Sequence, residues 1–133
     1  MKKIIFIYFC LFLTNQLYSQ KIKWLEGCWE GEGYQPNSLI EQVWSMHLCY
    51  LVKEKKIVVE YPSLQCGGNW TLQKAEKNRA IFIENLSYGI ENCMNESKLI
   101  VSYIDNDFIT VAFYDVIYNK EEVIAICLLK RNG

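Results

Sequence analysis

The sequence predicts an all-β fold: a small antiparallel up-and-down β-barrel of about eight strands, entered through a short N-terminal helical turn. Three observations carry that reading. β-Branched and aromatic residues dominate, and few segments show helical period. Turn chemistry recurs between the apolar runs, at Pro36-Asn37-Ser38, Lys53-Glu54-Lys55, Gly67-Gly68, Glu76-Lys77-Asn78, Asp105-Asn106-Asp107 and Asn119-Lys120. The run Trp24-Leu25-Glu26-Gly27-Cys28-Trp29-Glu30-Gly31-Glu32-Gly33 spaces glycines along a first strand. Sequential hairpins of this kind form a meander, and closure removes its exposed edges.

A leader precedes the barrel. Met1-Lys2-Lys3 is basic, and Ile4 to Leu13 is a ten-residue apolar run. That is the length of a signal-peptide core and too short to span a bilayer. Thr14 to Ser19 is polar and ends in a small residue, so cleavage is expected between Ser19 and Gln20. Residues 1–19 are therefore read as a signal peptide and 20–133 as one barrel domain, secreted or periplasmic, with no membrane span after cleavage. Cys10 departs with the leader. The mature chain carries 12 basic and 15 acidic side chains, a net charge near −3. No basic stripe is present, which argues against nucleic acid as a partner.

The elements follow in order. Lys21 to Leu25 reads as a helical turn plugging one barrel end. Strands are expected at Cys28 to Tyr34, Ile40 to Val52, Lys56 to Tyr61, Asn69 to Lys74, Arg79 to Ser87, Lys98 to Asp105, Asp107 to Tyr114 and Glu122 to Lys130. With the first turn centred on Asn37-Ser38-Leu39, Cys28 faces Cys49, Trp29 faces Leu48, Gly31 faces Met46 and Gly33 faces Trp44. Alternation then places Trp29, Trp44, Met46, Leu48 and Tyr50 on the inner face. Gly31 and Gly33 leave room for Met46 and Trp44. The outer face carries Glu30 beside His47 and Cys28 beside Cys49.

Five cysteines remain after cleavage, and in an exported chain they read as disulfide partners with one left over. Cys66 and Cys93 flank the hairpin of the fourth and fifth strands, so their loops return to one end of the sheet. Cys28 pairs with Cys49 in the register above. The alternative joins Cys127 to Cys28 across the first and last strands and strands Cys49. Without such a bond Cys127 is a buried apolar thiol. With no Cys-x-x-Cys and one histidine, a zinc site is not expected, and no cofactor is called for.

The Gly27-Cys28-Trp29 opening and its glycine-spaced continuation resemble the start of lipocalin-like, or calycin, barrels, including small secreted bacterial ones of uncharacterised function. The resemblance implies that Trp29 packs across the closed end beneath a basic residue of the last strand, a place Arg131 matches. The segment Tyr61-Pro62-Ser63-Leu64-Gln65-Cys66-Gly67-Gly68-Asn69-Trp70-Thr71-Leu72 resembles a motif of small exported bacterial domains. There a second cysteine follows about a hairpin later, as Cys93 does here.

The expected function is non-catalytic binding of a small apolar ligand inside the barrel, against Trp29, Trp44, Met46, Tyr50, Trp70 and Phe82. The interior has many bulky candidates to fill it, Tyr103 and Phe113 among them, so an open cup is not assured. The rival is a protein-binding barrel, such as an inhibitor of an extracytoplasmic enzyme. It would act through loops such as Tyr34 to Ser38 or Tyr88 to Asn95, or through the late strands, which are apolar on both faces. Least favoured is an enzyme using His47 beside Glu30. His47 lies too early in the chain to match the haem ligand of lipocalin-like haem barrels, and Glu30, Glu32, Glu41 and Glu60 alternate as a solvated face does. No nucleophile motif or phosphate loop occurs. An interior above about 300 Å³ with one open mouth marks the ligand reading; a filled barrel with an exposed apolar sheet marks a protein partner.

Overall fold

Eight antiparallel strands run in chain order around a closed barrel, β8 returning to pair with β1. They are β1 (Gly27–Tyr34), β2 (Val43–Leu51), β3 (Lys56–Tyr61), β4 (Cys66–Ala75), β5 (Arg79–Tyr88), β6 (Lys98–Tyr103), β7 (Phe108–Tyr114) and β8 (Val123–Arg131). The computed structural model describes residues 22–39, 41–115 and 122–132. The expected signal peptide and its cleavage site lie outside the described residues, as does Lys21 of the expected helical turn. No helix among the described residues is long and apolar enough to cross a membrane.

The first hairpin has the register that its turn and alternation predict. Cys28 lies opposite Cys49, Trp29 opposite Leu48, Gly31 opposite Met46 and Gly33 opposite Trp44. The period-2 pattern turns Trp44, Met46, Leu48 and Tyr50 inward, all of them buried. The other strands follow the same rule, and Val59, Phe82, Leu99, Val101, Ile109, Val111 and Leu129 fill the barrel axis. Each such side chain contributes about 1.5–3 kcal/mol by leaving water. Cys28–Cys49 and Cys66–Cys93 are disulfide-bonded, and Cys127 is free and buried; it does not pair with Cys28.

One barrel end is shut by a 3-10 turn, Lys23–Leu25, with Ile22 and Leu25 buried beneath it. The indole Nε1 of Trp29 donates to the Leu25 carbonyl at 2.9 Å. The Arg131 guanidinium covers the Trp29 ring, 4.1 Å from its centroid. The same group donates to the carbonyls of Glu26, of Trp24 at 3.0 Å and of Asn106 at 2.7 Å. Gly27 turns the chain into β1 at φ +103°, a conformation L side chains rarely adopt, directly under Arg131.

Several expectations are corrected. Gly67-Gly68 is not a turn but the start of β4, because Pro62–Leu64 forms a 3-10 turn closed by Gln65 in the left-handed region, φ 56°. Proline presets the turn's backbone angle, so the chain reverses there. Gly68 is needed inside the strand, where a Cβ would sit 2.1 Å from the Asn85 carbonyl oxygen. β2 stops at Leu51, since Val52–Glu54 is already a 3-10 turn. At Gly31 a Cβ would also meet β8, standing 2.2 Å from the Leu128 carbonyl oxygen. Tyr103 lies at the closed end in edge contact with Trp24, not deep in the interior.

Candidate functional site

At the other barrel end, the loop after β1, the Pro62–Leu64 turn, the loop after β5 and the start of β8 surround a cavity of about 190 Å³. Its wall is aromatic. Trp44 stands edge-on to Tyr61 (centroids 5.4 Å apart, 85°) and to Phe113 (5.4 Å, 89°), while Tyr61 and Phe113 are 6.2 Å apart. Leu64, Met94, Ile124 and Ala125 continue the apolar lining, and Gln35, Ser38, Glu41 and Asn92 bring polar groups to it. Trp44 reaches its place because residue 33 is glycine: a Cβ there would stand 2.5 Å from the indole.

The mouth is fastened. Cys66–Cys93 ties the loop after β5 to the base of β4, and Cys93 itself lines the cavity. Asn95 Oδ1 accepts from the Leu86 amide at 2.9 Å, and the Ser97 carbonyl accepts from the Glu84 amide at 2.9 Å. Ser45 and Ser63 exchange backbone-to-hydroxyl bonds of 2.9 and 3.0 Å, which pins the Pro62–Leu64 turn to β2.

Glu84 is the chemical centre of the cavity. It projects inward from the middle of β5, only 2% exposed, and lines the cavity floor. The Tyr61 hydroxyl and the Trp70 Nε1, the latter at 2.9 Å, both donate to its Oε2. Burial holds the carboxyl above the usual glutamate range, against those two hydrogen bonds, which favour the charged form. Burial, then the neighbouring Glu84 charge, pushes the Tyr61 hydroxyl well above its ordinary value. The same two causes raise the Cys127 thiol. A second polar group is left over: Trp44 Nε1 is buried with no hydrogen-bond partner among the described residues. Trp24 Nε1 shares that condition at the closed end. An orphaned buried donor costs about 1–3 kcal/mol, so its position is informative.

Of the six residues expected to contact a ligand, Trp44 lines the cavity. Trp29, Met46, Tyr50, Trp70 and Phe82 are buried and lie outside its lining. Trp70 packs 5.5 Å from Phe82 and positions the Glu84 carboxyl. Gln35 and Ser38 of the first expected loop and Asn92, Cys93 and Met94 of the second meet at the mouth. His47 stays on the outer face, opposite Glu30 and Glu60, away from the cavity. Glu84 and Tyr61 were not singled out in the sequence. Alternation through Ala80, Phe82 and Leu86 points Glu84 inward, and Ile57, Val59 and Tyr61 form the matching series. No group of three or more metal-ligating side chains gathers among the described residues.

Hydrogen-bonding groups set in an aromatic wall at a barrel mouth have the make-up of a recognition site. No protein-family model, curated protein or solved structure matches the chain. The closed eight-stranded meander is compatible with a lipocalin-like fold, and that topology is the extent of the likeness.

Proposed function

We propose that the chain is an exported binding protein that takes one compact organic molecule into the open end of its barrel. The observation that carries this reading is the cavity lined by Trp44, whose Nε1 has no partner among the described residues, and by the buried Glu84 carboxyl. Its 190 Å³ falls short of the ~300 Å³ of drug-sized pockets and exceeds the ~150 Å³ that holds benzene. The ligand is therefore of one-ring size, smaller and more polar than the apolar guest first expected. The leader and two disulfides support export.

Ligand-observed NMR with one-ring fragments tests the reading against Leu64→Trp, which crowds the mouth. Fragments are expected to bind the native protein and to be lost in a folded L64W variant. Binding that persists in L64W, or no fragment binding at all, overturns it.

A second reading has its own observation. Tyr34, Val43, Ile126 and Leu128 are 53%, 52%, 57% and 54% exposed on the outside of β8, β1 and β2. Tyr34 pairs with both Val43 and Ile126, so these side chains form a neighbouring outward group. Such a surface suits a protein partner. Replacing Ile126 and Leu128 by lysine is expected to abolish that association and spare fragment binding. Association that survives both changes removes the reading.

A further inference from the structure

We propose that the molecule taken up at the mouth is a small protonated amine that also carries an oxygen acceptor, the ammonium meeting Glu84 among the three rings and the acceptor meeting Trp44 Nε1. The proposal rests on the ligand-binding reading and narrows it to a chemical class.

Charge is the first argument. Among the described residues, the cavity lining contains two carboxyls, Glu41 and Glu84, and no lysine, arginine or histidine. Glu84 is buried with no cation among its hydrogen-bond partners; Tyr61 and Trp70 both bond to Oε2. A buried carboxylate without a positive partner is costly, and an arriving ammonium supplies that partner. Among the described residues, an anionic ligand meets two acids and no base.

The wall is the second argument. Trp44, Tyr61 and Phe113 stand mutually edge-on, and all three line the cavity. Aromatic faces attract organic cations, most strongly where water is excluded. The third argument is the orphaned indole donor. Trp44 lines the cavity and its Nε1 has no partner among the described residues, so a ligand oxygen that reaches it would satisfy a donor that an ammonium cannot.

Calorimetry and NMR titration with four one-ring probes test this: 4-methoxybenzylamine, benzylamine, benzyl alcohol and benzoate. The methoxy amine is expected to bind at least about tenfold more tightly than benzyl alcohol, the scale of one charge-assisted contact in a buried site. Benzoate is expected not to bind. Glu84→Gln, which keeps an acceptor for Tyr61 and Trp70, should lose about tenfold for the amines and stay within about twofold for benzyl alcohol. Trp44→Phe should erase the advantage of the methoxy group over plain benzylamine. On the wild-type protein at pH 5, amine binding should release protons as the ammonium draws Glu84 to its carboxylate form. The other titratable groups near it are Tyr61 and Cys127, both held protonated at this pH, and Glu41 in the lining. Benzyl alcohol or benzoate binding as tightly as the amines, an unchanged affinity in E84Q, or amine binding without proton release overturns the amine assignment and leaves the cavity reading standing. Failure of all four probes overturns both.

Discussion

Arg131 fastens the closed end, and replacing it with methionine isolates that role. The guanidinium donates to three backbone carbonyls on separate segments: Trp24 and Glu26 around the N-terminal turn, and Asn106 in the turn between β6 and β7. It also covers the Trp29 ring at 4.1 Å. The site is half-buried, so each charged contact is discounted for solvent screening below the usual ~1.5–3 kcal/mol, to about 1 kcal/mol. The ring contact adds about 0.5–1 kcal/mol, part of which a methionine stem retains. Arg131→Met should therefore cost about 3–4 kcal/mol, which for a domain of this size lowers Tm by roughly 12–15 °C. Arg131→Lys keeps a charge over Trp29 but cannot reach three carbonyls from one point, so it should lose about half as much. Thermal and urea unfolding followed by circular dichroism, with the disulfides intact, measures both. A methionine variant melting within about 3 °C of wild type refutes the reasoning, because three lost charged contacts cannot shift Tm so little. A lysine variant as weak as the methionine one removes the ring contact from the account.

Four further outcomes are expected. Gly33→Ala places a Cβ 2.5 Å from the Trp44 ring and 2.8 Å from Cys127 Sγ; overpacking of about 1–3 kcal/mol should follow, read by urea unfolding, together with weaker fragment binding at the displaced indole. Without reductant, the barrel domain of residues 20–133 should resist alkylation while native and take up one alkyl group, at Cys127, on denaturation, as mass spectrometry reports. Removing Cys66–Cys93, which closes 27 residues, should cost about 3.5 kcal/mol on the loop-entropy scale. Finally, the Glu84 carboxyl is raised in the fold. Its contribution is fully present below the unfolded value of 4.5 and is lost as pH climbs through the higher folded value, so the stability difference between E84Q and the ligand-free wild type should grow in favour of E84Q over that window. Glu76 has the opposite sign, lowered by Arg79, and acts only below 4.5. Parallel wild-type and E84Q profiles from pH 4 to 8 overturn the assignment.

The barrel was largely legible in the residues because its determinants are local. Alternation sets which side chains face inward, and turn residues set where strands end. Together they yielded the Cys28–Cys49 register and the position of Trp44 over Gly33. The Gly67-Gly68 misreading has the same local origin: two adjacent glycines signal a turn, but Pro62 signals one more strongly five residues earlier. The cavity was less legible. Period 2 says that Trp29, Trp44, Met46, Tyr50, Trp70 and Phe82 point inward, and all six are buried. It does not say how far along the barrel axis each one lies. That depth comes from the stagger between strands and from which loops close over an end. Trp29 consequently sits under Arg131 at the shut end, whereas Trp44 stands in the mouth. Glu84 was within reach of the alternation argument but carries a residue type normally assigned to the solvated face.

Position also separates what holds this barrel together from what it does. The closed end meets most of its polar groups locally: Trp29 Nε1 has the Leu25 carbonyl and Arg131 has three more, with Trp24 Nε1 left unpartnered among the described residues. The mouth combines more: a buried carboxyl, a tryptophan whose Nε1 has no partner among the described residues, and unfilled volume. Each is unfavourable in an unliganded fold, and an inward leucine at residue 84 would remove the first and reduce the third. Departures from local consistency of this kind are expected where a structure serves a ligand. The Cys66–Cys93 bridge gives the mouth a further property, since it fixes the loop that carries Asn92 and Met94 before any guest arrives. Ordering that loop in advance removes an entropic cost from binding, about 0.5–1.5 kcal/mol for each side chain that would otherwise be immobilised. On the proposed reading, a site for so small a guest would have little contact area with which to offset that cost, and a staple at the mouth would reduce the cost itself.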